Sequence, residues 1–230
     1  MMWCILELRV FLGLSIGVTL LFFLFPEIDL VFSGMFYERA AGGFFLNNGG
    51  FHILHSTITK GGRIIPVALL VLLIASLLSS KLKAYLPPQR VLWFLFLAFA
   101  VGPGLVVNVA FKDQFGRTRP SSVSQFGGGK AFTPAFFVSD QCNKNCSFVC
   151  GDCSVGFATL AFALLARRQR RRYIAAALTF GSLIGLIRVM EGAHFLSDVV
   201  FSGVFTTLTT YTIYGLLKPI ASKKHASPLS

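Results

Sequence analysis

"VLWFLFLAFAVGPGLVVNVAFKDQFGRTRP" runs from Val91 to Pro120. Val91–Phe111 carries no charged residue. A helix needs about 20 apolar residues to cross the hydrocarbon core of a bilayer, so this segment predicts a transmembrane helix. Lys112, Asp113, Arg117 and Arg119 then follow without a spacer. Charges at the end of a membrane helix are expensive unless they face a polar site, which makes them functional candidates.

The rest of the chain agrees with a membrane protein. Of its 230 residues 54% are hydrophobic and only 13% charged, and 25 are phenylalanine; the mean hydropathy is +0.71. Such a composition belongs to an integral membrane protein. The net charge of +12 forms no basic stripe, so no nucleic acid partner is expected.

Six apolar segments stand out: Val10–Phe25, Ile64–Ser80, Val91–Phe111, Cys153–Ala166, Tyr173–Ile187 and Phe195–Leu217. The fourth and fifth reach spanning length only by including Asp152 and Arg188. The first lacks a small-x-small cleavage site before Phe25-Pro26-Glu27, so it reads as a retained helix. The expected fold is an all-α membrane bundle of six helices forming one domain over residues 1–230, without internal repeats.

Lysine and arginine set the orientation. Alternate connecting segments carry twelve against nine, and the richer set sits in tight clusters, above all "RRQRRR" (Arg167–Arg172). Cytoplasmic loops have this character. Both termini are therefore expected in the cytoplasm, with two larger loops outside, Pro26–Arg63 and Lys112–Val149. In these, Phe32–Phe51 mixes aromatics with glycines as an interfacial element does, and Ser122–Asp140 is turn-like.

Two charged motifs fall on the outer side. "KDQFGRTRP" sets Lys112 seven residues before Arg119-Pro120. "RVMEGAHFLSD" sets Arg188 before His194 and Asp198. His194 and Asp198 are spaced i,i+4, which on a helix shares a face; the aspartate can then hold one ring nitrogen and leave the other free. Two arginines and a lysine suit a phosphate, whose charge they clamp, and a carboxylate-supported histidine is a competent nucleophile at neutral pH.

K-x6-R-P followed far downstream by R-x5-H-x3-D resembles the type 2 phosphatidic acid phosphatase (PAP2) superfamily. The resemblance covers Lys112 to Asp198. It implies a six-helix membrane phosphatase with no metal and no cofactor. In it His194 attacks phosphorus to give a phosphohistidine, Asp198 supports His194, and Lys112, Arg119 and Arg188 bind the phosphate. Arg117 is expected to add to that clamp, and backbone amides near Gly151 to help hold the phosphate.

The family's middle motif is Pro-Ser-Gly-His at the start of the fourth helix. Here the same place reads Val149-Cys150-Gly151-Asp152, so Asp152 stands where a histidine would protonate the leaving oxygen. A free aspartate titrates near pKa 3.9, and surrounding cations favour its ionised form. It becomes a proton donor only if a bound phosphate dianion pushes the other way. His52 and His55, in "FHILHS" before the second apolar segment, are alternative acids. "CNKNCSFVCGD" and "GPGLVVN" (Gly102–Asn108) are similar to the lipid A 4′-phosphatase branch. That branch implies removal of the 4′-phosphate of lipid A at the periplasmic face of a bacterial inner membrane. Undecaprenyl diphosphate and phosphatidylglycerophosphate phosphatases are the alternative enzymes, and a degenerate lipid-binding homologue the alternative outside catalysis.

Cys142, Cys146, Cys150 and Cys153 are too close in sequence for the converging pairs of a zinc site. An outer, oxidising compartment favours disulfides, and Cys142–Cys146 is the expected bridge. Cys150 and Cys153 are expected as small buried thiols at the helix start. Cys150 as a nucleophile is the weaker reading, since His194 fills that role. Cys4 is placed in the cytoplasm.

Overall fold

The computed structural model describes residues 2–46, 52–112 and 114–218; of these, the side chains of 2–8, 52–56, 58, 59 and 63 lie outside the description. The regular secondary structure is almost entirely helical. A bent pair comes first, α1 (Met2–Leu24) and α2 (Ile28–Gly34), followed by a two-residue antiparallel ribbon, β1 (Tyr37–Glu38) with β2 (Gly43–Phe44). Then come α3 (His52–Leu78), α4 (Ser80–Tyr85) and α5 (Gln89–Phe99), which continues as a π-helix over Ala100–Phe111. The remainder is α6 (Gly151–Ala158), α7 (Leu160–Leu165), α8 (Arg170–Met190) and α9 (Leu196–Leu217).

Among the described residues four helices are long and apolar enough to cross a membrane: Lys60–Leu78, Gln89–Phe111, Arg170–Met190 and Leu196–Leu217. The pair Arg9–Leu24 and Ile28–Gly34, bent by 84°, makes five if it counts as one span. The expected fourth span, Cys153–Ala166, is the short stretch Gly151–Leu165, broken at Thr159. The hydrophobic surplus is used on the outside. Leu14 on α1 is 64% exposed and Leu78 on α3 82%, as helices facing lipid require.

Short α6 is the hub. It packs against α8, α9, α3 and the π-helix. Glycine permits the close approach to α8: a Cβ on Gly156 would stand 2.8 Å from the Gly181 Cα, a small-residue contact typical of membrane helices. The π-helix has a local cause. Pro103 lacks an amide donor and is flanked by two glycines, so the usual ladder fails. The Asn108 Nδ2 donates to the Pro103 carbonyl at 2.6 Å, satisfying it from five residues on.

The segment 112–150 folds over the bundle end opposite the arginine run Arg167–Arg172. Phenylalanines anchor it: Phe136 meets Phe201 at 4.5 Å and Phe148 at 5.1 Å, both edge to face. This wedge of Phe111, Phe115, Phe136, Phe148, Phe201 and Phe205 accounts for part of the phenylalanine content. It holds the loop against α9 and so fixes the charged residues at its two ends.

Candidate active site

A cavity of about 750 Å³ opens where α3, the π-helix, α6 and the end of α8 meet. Its charged lining is Lys112, Arg119, Asp152 and Arg188, with Asn108, Asn145 and Gly151 beside them. Residues 76 positions apart in sequence thus share one wall. Lys112 arrives as the residue just past the π-helix, Arg188 in the last turn of α8, and Gly151 and Asp152 as the first residues of α6.

Both arginines are aimed. Arg119 Nη2 donates to the Asn145 carbonyl at 3.0 Å. Arg188 Nη1 pairs with Glu191 Oε2, and its Nε lies 3.3 Å from Asp152 Oδ2. Burial, and next the adjacent Arg188 charge, push the Arg119 guanidinium below its ordinary pKa. Gathering like charges in a half-closed cavity is costly, and a bound anion offsets the cost. Gly151 brings the backbone up to this group: a Cβ there would lie 2.9 Å from Asn108 Oδ1 and 3.2 Å from Lys112 Nζ.

His194 sits behind the cavity wall, 1% exposed. Its Nδ1 is 2.8 Å from the Ser147 carbonyl oxygen and 3.6 Å from Asp198 Oδ2. A carbonyl only accepts, so Nδ1 carries the hydrogen and Nε2 keeps its lone pair. Burial first, and then the charges of Arg188 and Lys112, lower the His194 pKa to about 4 against the raising effect of Asp198. The histidine is therefore neutral at pH 7 and within electrostatic reach of two of the cations.

The sequence reading put His194 and Asp198 on one helical face. The structure replaces that geometry. Helix α9 begins at Leu196, so His194 precedes it. Asp198 lies in the first turn and reaches back, accepting the Phe195 N–H at 2.8 Å and the Ser147 hydroxyl at 2.5 Å. The main-chain carbonyl of Ser147 is the nearer partner of the ring, and Asp198 stands one step behind.

Arg117 does not line the cavity. It is 1% exposed and fully engaged elsewhere. Its Nη1 donates to Asp198 Oδ1 at 2.5 Å and to Ser197 Oγ at 2.8 Å, its Nη2 to Asp29 Oδ2 at 2.8 Å, and its Nε to the Thr133 carbonyl at 2.8 Å. The Phe195 ring lies 4.3 Å from the guanidinium carbon, a cation–π contact. This geometry corrects its expected place in the phosphate clamp.

Cys142 and Cys146 are joined, with Cα atoms 5.6 Å apart. Cys150 and Cys153 are joined as well, at 5.4 Å, where free buried thiols were expected. Asn145 lies inside the first ring, and Gly151 and Asp152 inside the second. His52 and His55 fall in the first turn of α3, and their side chains lie outside the described residues. Among the described residues no group of three His, Cys, Asp or Glu comes together as a metal site.

Sequence reasoning passed over Asp29, Ser147, Glu191 and the roles of Asn108 and Ser197. An acid inside the apolar run Ile28–Phe32 was a signal for the first. Ser147 contributes a carbonyl, which leaves no mark in a sequence.

The chain is similar to a lipid A 4′-phosphatase of Francisella tularensis subsp. novicida, 40% identical over 200 residues, which are 85% of this chain and 89% of that one. A lipid A 4′-phosphatase of Rhizobium etli is 28% identical over 97% of this chain and 86% of its own. A lipid A 1-phosphatase of the same species is 38% identical over 125 residues, about half of each chain. No solved structure matches. The PAP2 superfamily model matches residues 91–220, which takes in the π-helix, the charged lining of the cavity and the His194–Asp198 pair; the chain belongs to the PAP2 superfamily.

Proposed function

We propose that this chain is a membrane lipid phosphatase that removes the 4′-phosphate of lipid A through a phosphohistidine on His194. One observation carries the reading: a buried, neutral histidine with Nε2 unprotonated, set against a cavity that gathers Lys112, Arg119 and Arg188. The phosphate would sit on these three cations at the amino end of α6, near the Gly151 amide. Phosphoryl transfer then needs mainly positioning and charge stabilisation, which this clamp can supply.

In the first step the Nε2 lone pair bonds to phosphorus as the P–O ester bond breaks. The leaving oxygen takes a proton from water in the open cavity. In the second step water attacks phosphorus, the N–P electron pair returns to Nε2, and the proton the water sheds neutralises the hydroxide left by the first step. Asp152 pairs with Arg188, and in this reading it orients that arginine. The substrate assignment rests on the two relatives named lipid A 4′-phosphatase, matched over most of both chains.

The same reading gives six passes through a bacterial inner membrane, both termini cytoplasmic and the cavity facing the periplasm. Two features support it. The arginine run lies at the opposite end from the cavity, as the positive-inside rule asks. Both disulfides lie at the cavity end, where an oxidising compartment would place them.

The test is phosphate release from lipid A by purified protein in EDTA, with mass spectrometry of the product sugar. Undecaprenyl diphosphate and phosphatidylglycerophosphate serve as competing substrates. Loss of the 4′-phosphate by wild type but not by His194→Ala is expected. Activity in His194→Ala, or activity abolished by EDTA and restored by zinc, would overturn the mechanism.

A further inference from the structure

Three charged side chains lie out of water directly behind His194. Arg117, Asp29 and Asp198 are each exposed by 1% or less. They come from three places in the fold: the loop after the π-helix, short α2, and the first turn of α9. Asp29 accepts from Arg117 Nη2 at 2.8 Å, from the Ser197 N–H at 2.8 Å and from Ser197 Oγ at 2.5 Å. Asp198 accepts from Arg117 Nη1, Ser147 Oγ and the Phe195 N–H. Burial raises the Asp29 pKa, the Arg117 charge lowers it, the Asp198 charge raises it, and the bonds from Ser197 and Arg117 lower it again; the geometry decides for the charged form, because each carboxyl group faces three donors, as an ionised carboxylate does. Two carboxylates against one guanidinium leave one net negative charge.

That surplus has a use. When His194 Nε2 bonds to phosphorus, the ring keeps its Nδ1 hydrogen and becomes an imidazolium. A positive charge therefore appears 3.6 Å from Asp198 Oδ2. Were Arg117 paired with Asp198 alone, the two would cancel and the new charge would find no counter-ion in a poorly solvated site. Asp29 takes up the other half of the guanidinium.

We propose that Asp29 is a positioning residue for the phosphoryl transfer: by occupying Arg117 it leaves Asp198 the negative charge that stabilises the His194 imidazolium. The inference rests on the phosphohistidine reading above. It also gives α2 a part in catalysis although α2 does not line the cavity.

The experiment measures kcat, KM and inhibition by inorganic phosphate in the full-length protein, for wild type, Asp29→Asn, and Asp29→Asn combined with Arg117→Gln. Asp29→Asn brings the buried net charge to zero. A fall in kcat of about tenfold or more, with KM and the phosphate inhibition constant within about twofold, is expected. The double variant restores the surplus negative charge. Its kcat is expected to rise about fivefold or more above that of the single variant. A merely structural role makes the double variant no better than the single one, because both lose the contacts of Asp29; that outcome overturns the proposal. Parallel loss of kcat and of phosphate inhibition in Asp29→Asn overturns it too. Should Asp29→Asn fail to fold, the double variant decides alone: turnover above about a tenth of wild type supports the proposal and lower turnover sinks it. If wild type is active and His194→Ala is dead while Asp29→Asn turns over normally, only this inference falls. If wild type releases no phosphate from any lipid, the phosphatase reading falls and this inference with it.

Discussion

Ser147 holds both His194 and Asp198: its carbonyl accepts the His194 Nδ1 hydrogen at 2.8 Å, and its hydroxyl donates to Asp198 Oδ2 at 2.5 Å. The two contacts separate under substitution. Ser147→Ala keeps the carbonyl and loses only the hydroxyl. A hydrogen bond to a charged group contributes about 1.5–3 kcal/mol, and one tenfold step in rate corresponds to about 1.4 kcal/mol. Ser147→Ala should therefore lower kcat by about tenfold while KM for lipid substrate stays near the wild-type value. An unchanged kcat would show that Asp198 needs no help in holding its place.

The same burial predicts a pH dependence. His194 has a pKa of about 4 in the folded protein, against about 6.5 for a free histidine. In the proposed phosphohistidine mechanism the attacking form is the neutral one, so the rate of phosphoenzyme formation should be insensitive to His194 ionisation above about pH 5 and should fall as pH drops through about 4. Stability follows the same sign. The folded pKa is depressed, so the unfolded chain binds the proton more readily. Stability is fully present above about pH 6.5 and lost as pH falls toward about 4, by about 3 kcal/mol at most. Rapid-quench trapping of acid-labile phosphoprotein from about pH 3.5 to about pH 8 would check the first statement. An acid limb near pH 6.5 would contradict a desolvated His194.

Gly151 is where the backbone of α6 comes closest to the clamp. A methyl group there would meet Asn108 Oδ1 at 2.9 Å and Lys112 Nζ at 3.2 Å. Asn108 is tied to the Pro103 carbonyl, so the lysine is the group that gives way. Gly151→Ala should raise KM by about tenfold or more and lower kcat, because a displacement of about 1 Å is enough to cost two orders of magnitude in a positioned site. Thermal unfolding should move by only a few degrees. A variant with wild-type kinetics would show that Lys112 does not need its present place.

The charged lining of the cavity was legible because motif residues stand at the ends of apolar runs: Lys112 after Phe111, Arg188 after Ile187, Asp152 before Cys153. An uncompensated charge at a span boundary is visible in a sequence. What stayed hidden was the support. Asp29 touches Arg117 across 88 positions, and nothing local in either segment announces the other. Helical spacing suggested the right partners for His194 but the wrong geometry, since α9 starts two residues later than the pairing assumed. The π-helix was hidden for a related reason: "GPG" inside an apolar run reads as a weak point in an α-helix, not as twelve residues of wider turns.

Two disulfides enclose residues of the cavity wall. Asn145 accepts from Arg119 inside the Cys142–Cys146 ring. Closing so short a loop is worth about 2 kcal/mol by chain entropy. Replacing both Cys142 and Cys146 with alanine should lower stability by about that amount and raise KM more than it lowers kcat, because the carbonyl that aims Arg119 is released. Thermal unfolding in detergent and steady-state kinetics on the same samples would separate the two effects. Lost stability with an unchanged KM would leave the bridge a role in folding alone.

Asp152 occupies the place of a catalytic acid but contacts Arg188, 3.3 Å from Nε. These are two different jobs, and leaving-group chemistry tells them apart. A sugar alkoxide needs a proton as it departs, whereas p-nitrophenolate does not. If Asp152 orients Arg188, Asp152→Ala should reduce kcat/KM by about ten- to a hundredfold for both lipid A and p-nitrophenyl phosphate, chiefly through KM, since an arginine that has lost its partner binds phosphate less well. If Asp152 is the acid, the loss should fall on the lipid and nearly vanish with p-nitrophenyl phosphate. The Arg188 contact favours the first result: Glu191 holds Nη1 of the same guanidinium, so the two acids together set the plane of the guanidinium.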